Sequence, residues 1–419
     1  MNRKMLYLAG ASMMALGLQA GTAAAQDCSV NVGTIYPTSV DWGRPIAETA
    51  LWVGEMINEA GGVDGCEVNM ILRDDQNDAR VGVDAARALV DIDQVELLLG
   101  TVSSGISIPI LTSVTAPAGV MQMSCCSSSS RLTEIAESGE ARGLWFRTFA
   151  TADVQAAVAA MLARDAGIQN ITVVYKNDDW GQDIGRLAAE AFEAVGIEVL
   201  DQIAITDAQP SYRAEATQAL RGQPESLYLA LYPVEGISFV REWIGLGGTT
   251  TMIGANSLKS DDFRTTVGLE NLAEFTGTDT SSPRVQSAAD FIEAYTANFD
   301  AAPSGPGLAN SFDAAAIALL AYHAAGRDAS GEEIAAQVSR VTDPAGEPIP
   351  ATVEGFASAM EILSGGGSVS YQGATGAVTF DANGNVSAPA VSWGFDDSGV
   401  VEQSYISLEE VAAFMASTN

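Results

Sequence analysis

Residues 95–105 read Val-Glu-Leu-Leu-Leu-Gly-Thr-Val-Ser-Ser-Gly. A short, nearly continuous apolar run bounded by glycine is what a strand covered on both faces requires. The serine-bearing turn after it opens a helical stretch. The same unit follows at once: Val120–Met123 runs into Ser124-Cys125-Cys126-Ser127-Ser128-Ser129-Ser130, then Arg131-Leu132-Thr133. Working outward, further strands are expected at Val30–Tyr36, Val68–Leu72, Ile171–Tyr175, Ile197–Ile203, Ser226–Leu231 and Thr251–Ile253. Between them apolar residues recur three and four apart, as in Val154, Val158, Met161 and Leu162, the stripe of a helix packed on a sheet. Strand–helix alternation of this kind predicts α/β architecture, with parallel sheets and right-handed crossovers.

Two alternating sets occur, at about 28–145 and 150–276. Helices resume at Ser287–Phe299 and Ser311–Ala325, a looser region follows with Gly365-Gly366-Gly367 as its clearest break, and strands return at Ala377–Phe380, Val391–Phe395 and Val400–Ile406. The economical picture is two doubly wound lobes with a ligand cleft between them.

Composition narrows the function. The chain has 419 residues with 53 acidic and 20 basic side chains, a net charge of −33 that argues against a nucleic-acid partner. The single histidine, His323, leaves no base for a serine or cysteine triad beyond itself and disfavours a multi-histidine metal site. No Gly-x-Ser-x-Gly elbow accompanies the serine turns. Asp381-Ala382-Asn383-Gly384-Asn385 lacks the distal glutamate of a calcium loop, because position 392 is serine, and reads as a turn. Neither a cofactor nor a metal is expected. Residues 1–25, with Arg3 and Lys4, an apolar stretch and Ala23-Ala24-Ala25, read as a secretory signal peptide, which predicts a soluble periplasmic protein. Export permits disulfides. Cys28 and Cys66 open two strands whose starts would lie side by side, so a bridge is plausible; the adjacent Cys125 and Cys126 are expected as buried free thiols, with a bridge as the alternative.

In open parallel sheets ligands collect at the carboxyl ends of the strands, where both serine turns fall. Serine hydroxyls and free backbone N–H groups suit a carboxylate or another small anion. Trp42, Trp180 and Tyr232 also fall in loops after strands or at a helix start, whereas Trp52, Trp145, Trp243 and Trp393 are expected to pack in the interior.

With these residues in view, the whole chain after the signal resembles the type I periplasmic binding proteins of ABC importers, in the branched-chain amino-acid or amide-binding group. The resemblance is carried by Val32-Gly33-Thr34-Ile35-Tyr36-Pro37, Ile57-Asn58-Glu59-Ala60-Gly61-Gly62-Val63-Asp64-Gly65, Arg73-Asp74-Asp75-Gln76-Asn77-Asp78 and Phe146-Arg147-Thr148. The turn from Gly100 to Gly105 and the late Tyr371-Gln372-Gly373-Ala374-Thr375-Gly376, followed by Phe380-Asp381-Ala382-Asn383-Gly384, add to it. It implies a ligand carboxylate held by Ser103, Ser104 and Ser128 with the main chain of Cys126, an aromatic contact from Trp42, and closure by Trp180 and Tyr232. Where the family usually has an acid for the ligand's ammonium, this chain has Asn256. A neutral amide anchors an ammonium less strongly, so an amine-free acid or an amide is an alternative ligand, with Asp279 another source of the charge.

The resemblance further implies residues 27–147 plus 277–372 as one lobe and 148–276 plus 373–419 as the other, joined by a multi-strand hinge. The expected function is that of a monomeric, non-enzymatic receptor that closes on a small carboxylate-bearing solute, a branched-chain or related amino acid first, and delivers it to a membrane permease. A ligand sensor for a membrane receptor would need the same pocket.

Overall fold

A computed structural model describes residues 28–206 and 209–418; the signal-like segment lies outside the described residues. The first sheet is parallel, in the order β2-β1-β3-β4-β5, from β1 (Ser29–Tyr36), β2 (Glu67–Asp74), β3 (Leu97–Gly100), β4 (Met121–Ser124) and β5 (Trp145–Arg147). Every residue of β3 and β4 is buried, which is why β3 runs apolar without alternation, while the buried Gln122 and Ser124 of β4 are hydrogen-bonded. The Arg44–Glu59 helix packs against Leu308–Ala325, a helix with little apolar asymmetry because protein surrounds nearly all of it.

The second sheet is assembled the same way. Its parallel strands are β6 (Asn170–Lys176), β7 (Glu198–Ile205), β8 (Ser226–Ala230), β9 (Met252–Gly254) and β10 (Phe275–Thr280). A small third sheet joins β11 (Glu347–Pro350), β12 (Val369–Gly373) and β13 (Gly376–Ala377). The antiparallel pair β14 (Ala390–Asp396) and β15 (Gly399–Ile406) then completes the second sheet, in the order β15-β14-β10-β9-β8-β6-β7. Asp178 caps the Asp179–Ala194 helix by accepting the Gly181 N–H at 2.8 Å, which fixes where the chain turns after β6.

Several boundaries differ from the sequence reading. All of β10 pairs within the second sheet, so the crossing falls after Thr280 and not at 277. β13 pairs with β12 and Val378 is buried in the first core, which puts the return beyond 378 and not at 373. The strand expected at Ala377–Phe380 shrinks to Gly376–Ala377.

Parallel register aligns Ser29 with Glu67, so Cys28 and Cys66 stand opposite each other with Cα atoms 4.9 Å apart, and they are bonded. Cys125 and Cys126 are also bonded to each other, contrary to the free-thiol expectation: adjacency in the tight turn after β4 left the two sulfurs within reach. His323 is tied down, bonding the Asp64 N–H and Ser364. Trp145, Trp243 and Trp393 are buried, and Trp52 packs on Tyr295, Phe299 and Phe312.

Candidate ligand-binding site

Each parallel sheet has one point where strand order reverses, beside β1 in the first and beside β6 in the second. Loops leaving the carboxyl ends of neighbouring strands diverge there and leave a crevice. The two crevices face each other. From the first sheet come Trp42 after β1, Val102, Ser103 and Ser104 after β3, and Cys126 and Ser128 after β4; from the second come Trp180 after β6, Tyr232 after β8 and Asn256 after β9. All eight residues singled out from the sequence line one cavity of about 60 Å³. At roughly 10–15 Å³ per water-sized centre, that admits a small organic molecule and nothing larger.

The first wall is a hydrogen-bonded lattice. Ser124 Oγ donates to the Thr101 carbonyl at 2.6 Å and accepts the N–H groups of Cys126 at 3.1 Å and Ser127 at 3.0 Å. Ser104 Oγ accepts the Ser129 N–H at 3.1 Å. Of the Cys126 main chain, expected to serve a ligand, the N–H is already engaged, and the bonded Sγ comes within reach of the cavity lining. A Cβ on Gly307 would stand 2.6 Å from that sulfur, and its φ of +80° also favours glycine, so the cavity's depth there depends on a residue with no side chain.

Under this lattice lies Arg147, fully buried. Its Nη1 donates to the carbonyls of Ser127 (3.1 Å) and Ser129 (2.8 Å), Nε to Asn385 Oδ1 (2.8 Å), and Nη2 to Thr133 Oγ1 (2.6 Å). Burial lowers its pKa to about 10, against the pull of Asp153, Asp381 and Asp183, and it remains charged at neutral pH. Arg147 belonged to a matching motif, but its work as the support of the serine turn is visible only in the fold.

The second wall is aromatic. Tyr232 lies between two tryptophans: its ring is 5.9 Å from that of Trp42 at 8° and 5.1 Å from that of Trp180 at 25°. Its hydroxyl shares a 3.0 Å hydrogen bond with Ser103 Oγ. Burial, with Asp178 nearby, pushes that hydroxyl well above its usual pKa, so it stays protonated. A second seam joins the lobes where Ser130 donates its N–H and Oγ–H to Asp183, each at 2.6 Å. The lobes are in contact across the cleft.

Asn256 stands at the cavity with its N–H donated to Gln155 Oε1 at 3.2 Å. Asp279 is not at the cavity. It lies behind, with Oδ2 3.0 Å from Lys259 Nζ, and faces an adjoining cleft of about 640 Å³. Burial raises its pKa while Lys259 lowers it. The residue at the cavity is Lys259, which the sequence reading missed along with Phe149, Ser257 and Gly307. A sequence signal for Lys259 did exist: it is one of only three lysines and sits three residues beyond Asn256. Among the described residues, no aspartate or glutamate lines the cavity. Nor do the described residues hold a His, Cys, Asp and Glu group suited to a metal ion.

Two similar α/β lobes meeting at one small cavity define a class of two-lobed solute receptors. The chain belongs to the periplasmic binding protein family, whose model matches residues 29–361. It is 27% identical to the Leu/Ile/Val-binding protein BraC3 of Rhizobium johnstonii over 75% of this chain and 87% of that protein. Its fold is that of a leucine binding protein, LivK, from Thermotoga maritima, with a TM-score of 0.75 and 19% identity, over 91% of this chain and 99% of the other. An ABC-transporter solute binding protein of R. palustris in complex with benzoate has a TM-score of 0.69 at 14% identity, over 90% of this chain and 96% of that one. No helix among the described residues is long and apolar enough to cross a membrane.

Proposed function

We propose that this chain is the extracytoplasmic receptor of an ABC importer, secreted to the periplasm, and that it closes on one small carboxylate-bearing solute and presents it to a membrane permease. The observation that carries the reading is the cavity itself: serine hydroxyls and Trp42 from one lobe, Trp180 and Tyr232 from the other, with the ring stack running across the cleft. The ligand's carboxylate would lie against Ser103, Ser104 and Ser128, and its apolar body between Trp42, Trp180 and Phe149. Binding draws on the free energy of closure, because only the closed form supplies both walls at once.

Names of the relatives favour a branched-chain amino acid. The lining favours an amine-free acid, since it holds no carboxylate to match an ammonium, and Asn256 with the hydroxyls offers neutral acceptors alone.

Thermal unfolding of ligand-stripped protein against branched-chain amino acids, their deaminated acids, simple amides and aromatic acids tests the proposal. A ligand at about 100 times its Kd adds about 2.7 kcal/mol, or ~5–10 °C for lobes of this size. If no member of the panel moves the midpoint, the receptor reading fails.

A further inference from the structure

The polar groups around the cavity are unbalanced. Lys259 brings an ammonium with three N–H donors, and Asp279 takes one of them. The other two have no protein partner among the described residues, and the lysine side chain is only 21% exposed. An ammonium so placed loses hydration on closure and needs an acceptor from whatever fills the cavity. The lining cannot supply an anionic one, since it holds no carboxylate. Asp279 sits behind the lysine and holds its ammonium at the cavity wall. A ligand ammonium entering here would meet a like charge at one end and only neutral acceptors elsewhere, whereas a ligand oxygen would complete the lysine's bonding.

We infer that Lys259 reads a second acceptor oxygen on the ligand, so that the solute is a short amine-free acid carrying either a 2-oxo group or a second carboxylate. Its first carboxylate lies on the serine turns. The inference rests on the reading of the chain as a small-carboxylate receptor and makes Lys259 its specificity residue, with Asp279 positioning that lysine.

Calorimetric titration of the purified full chain with probes matched in skeleton tests it. One set is valine, 3-methyl-2-oxobutanoate and 3-methylbutanoate; the other is succinate and butanoate. In at least one set the acid with the second acceptor should bind about 10- to 100-fold more tightly than its plain counterpart, the range of a hydrogen bond to a charged group, and valine should be weaker still. Lys259→Met should bring that ratio to within about threefold of unity. Because that change leaves Asp279 buried and unpaired, the double variant Lys259→Met with Asp279→Asn keeps the test open if the single variant unfolds. Equal binding of plain and acceptor-bearing acids in both sets overturns the inference and leaves the receptor reading standing, as does tightest binding of valine. Failure of all five carboxylates to bind overturns the inference, and the receptor reading falls with it only if the amides and aromatic acids of the thermal panel also leave the midpoint unmoved.

Discussion

The two walls of the cavity are built on opposite principles. On the first lobe, Ser124, Ser127, Thr101 and Ser107 bond one another and Arg147 holds the loop from beneath, so the hydroxyl surface exists before any ligand arrives. On the second, Trp180 and Tyr232 present ring faces with a single hydroxyl bond, from Tyr232 to Ser103, and Lys259 leans on a single partner. A carboxylate head group is common to many solutes and suits a fixed cradle. What differs among solutes lies beyond the head group and is met by the wall with more uncommitted chemistry. On the proposed reading, rigidity on one side and uncommitted donors on the other divide affinity from selectivity.

The largest effect should come from removing the support of the fixed wall. Arg147→Met strands the Ser127 carbonyl in a buried site and leaves the Ser129 carbonyl and Asn385 Oδ1 with one longer bond each, from the Leu132 N–H and Thr133 Oγ1 at 3.3 Å. At about 1–3 kcal/mol for the unmet acceptor, with the weakened bonds adding to it, urea denaturation should show a loss of about 2–3 kcal/mol, together with loss of ligand binding. A stable variant that still bound would show that the serine turn holds itself. Weaker, and aimed at the join between the walls, is Tyr232→Phe. It keeps the ring stack and deletes only the bond to Ser103, so affinity should fall by roughly threefold to tenfold with no change in ligand ranking. A change in ranking would move selectivity onto the tyrosine and blur the division drawn here.

The smallest effect concerns an acid at the edge of the first wall. Asp75 is fully buried, its Oδ2 has no partner, and burial raises its pKa to about 7. A carboxyl raised in the folded state holds its proton there when the unfolded chain has already lost it. Stability therefore falls as pH rises from the ordinary carboxylate range, about 4, to about 7, and the penalty persists above that. Asp75→Asn retains the bond from the Asn77 N–H and should raise Tm by about 2–4 °C at pH 8 while leaving it nearly unchanged at pH 4. An equal shift at both values would assign the effect to packing.

Much of this was legible before any coordinates. Strands such as Leu97–Gly100 announce themselves because burial on both faces removes polar residues from them, and the resemblance then placed eight side chains that do share a cavity. Other strands gave no such signal. β5 is three residues long, too short for any period; β10 reads Phe-Thr-Gly-Thr-Asp-Thr, polar enough to pass for a loop; β11 carries two prolines, which count against a strand wherever it lies inside a sheet. Lys259 was missed because a lone lysine in a polar loop is normally solvated, and only the pairing with Asp279, twenty residues on in β10, holds it at the cavity. Asp279 illustrates the converse. Its charge could be read from the sequence, but its partner could not.

The placement of β14 and β15 has a consequence for how the molecule is completed in time. Until residues beyond 389 are present, β10 has a neighbour on one side only, and the other side displays unpaired N–H and C=O groups. The second sheet thus waits for nearly the last part of the chain to be synthesised, although its other strands were made long before. A nascent chain stopped short of Ala390 carries an adhesive edge, and the finished one seals it with an antiparallel ribbon of its own.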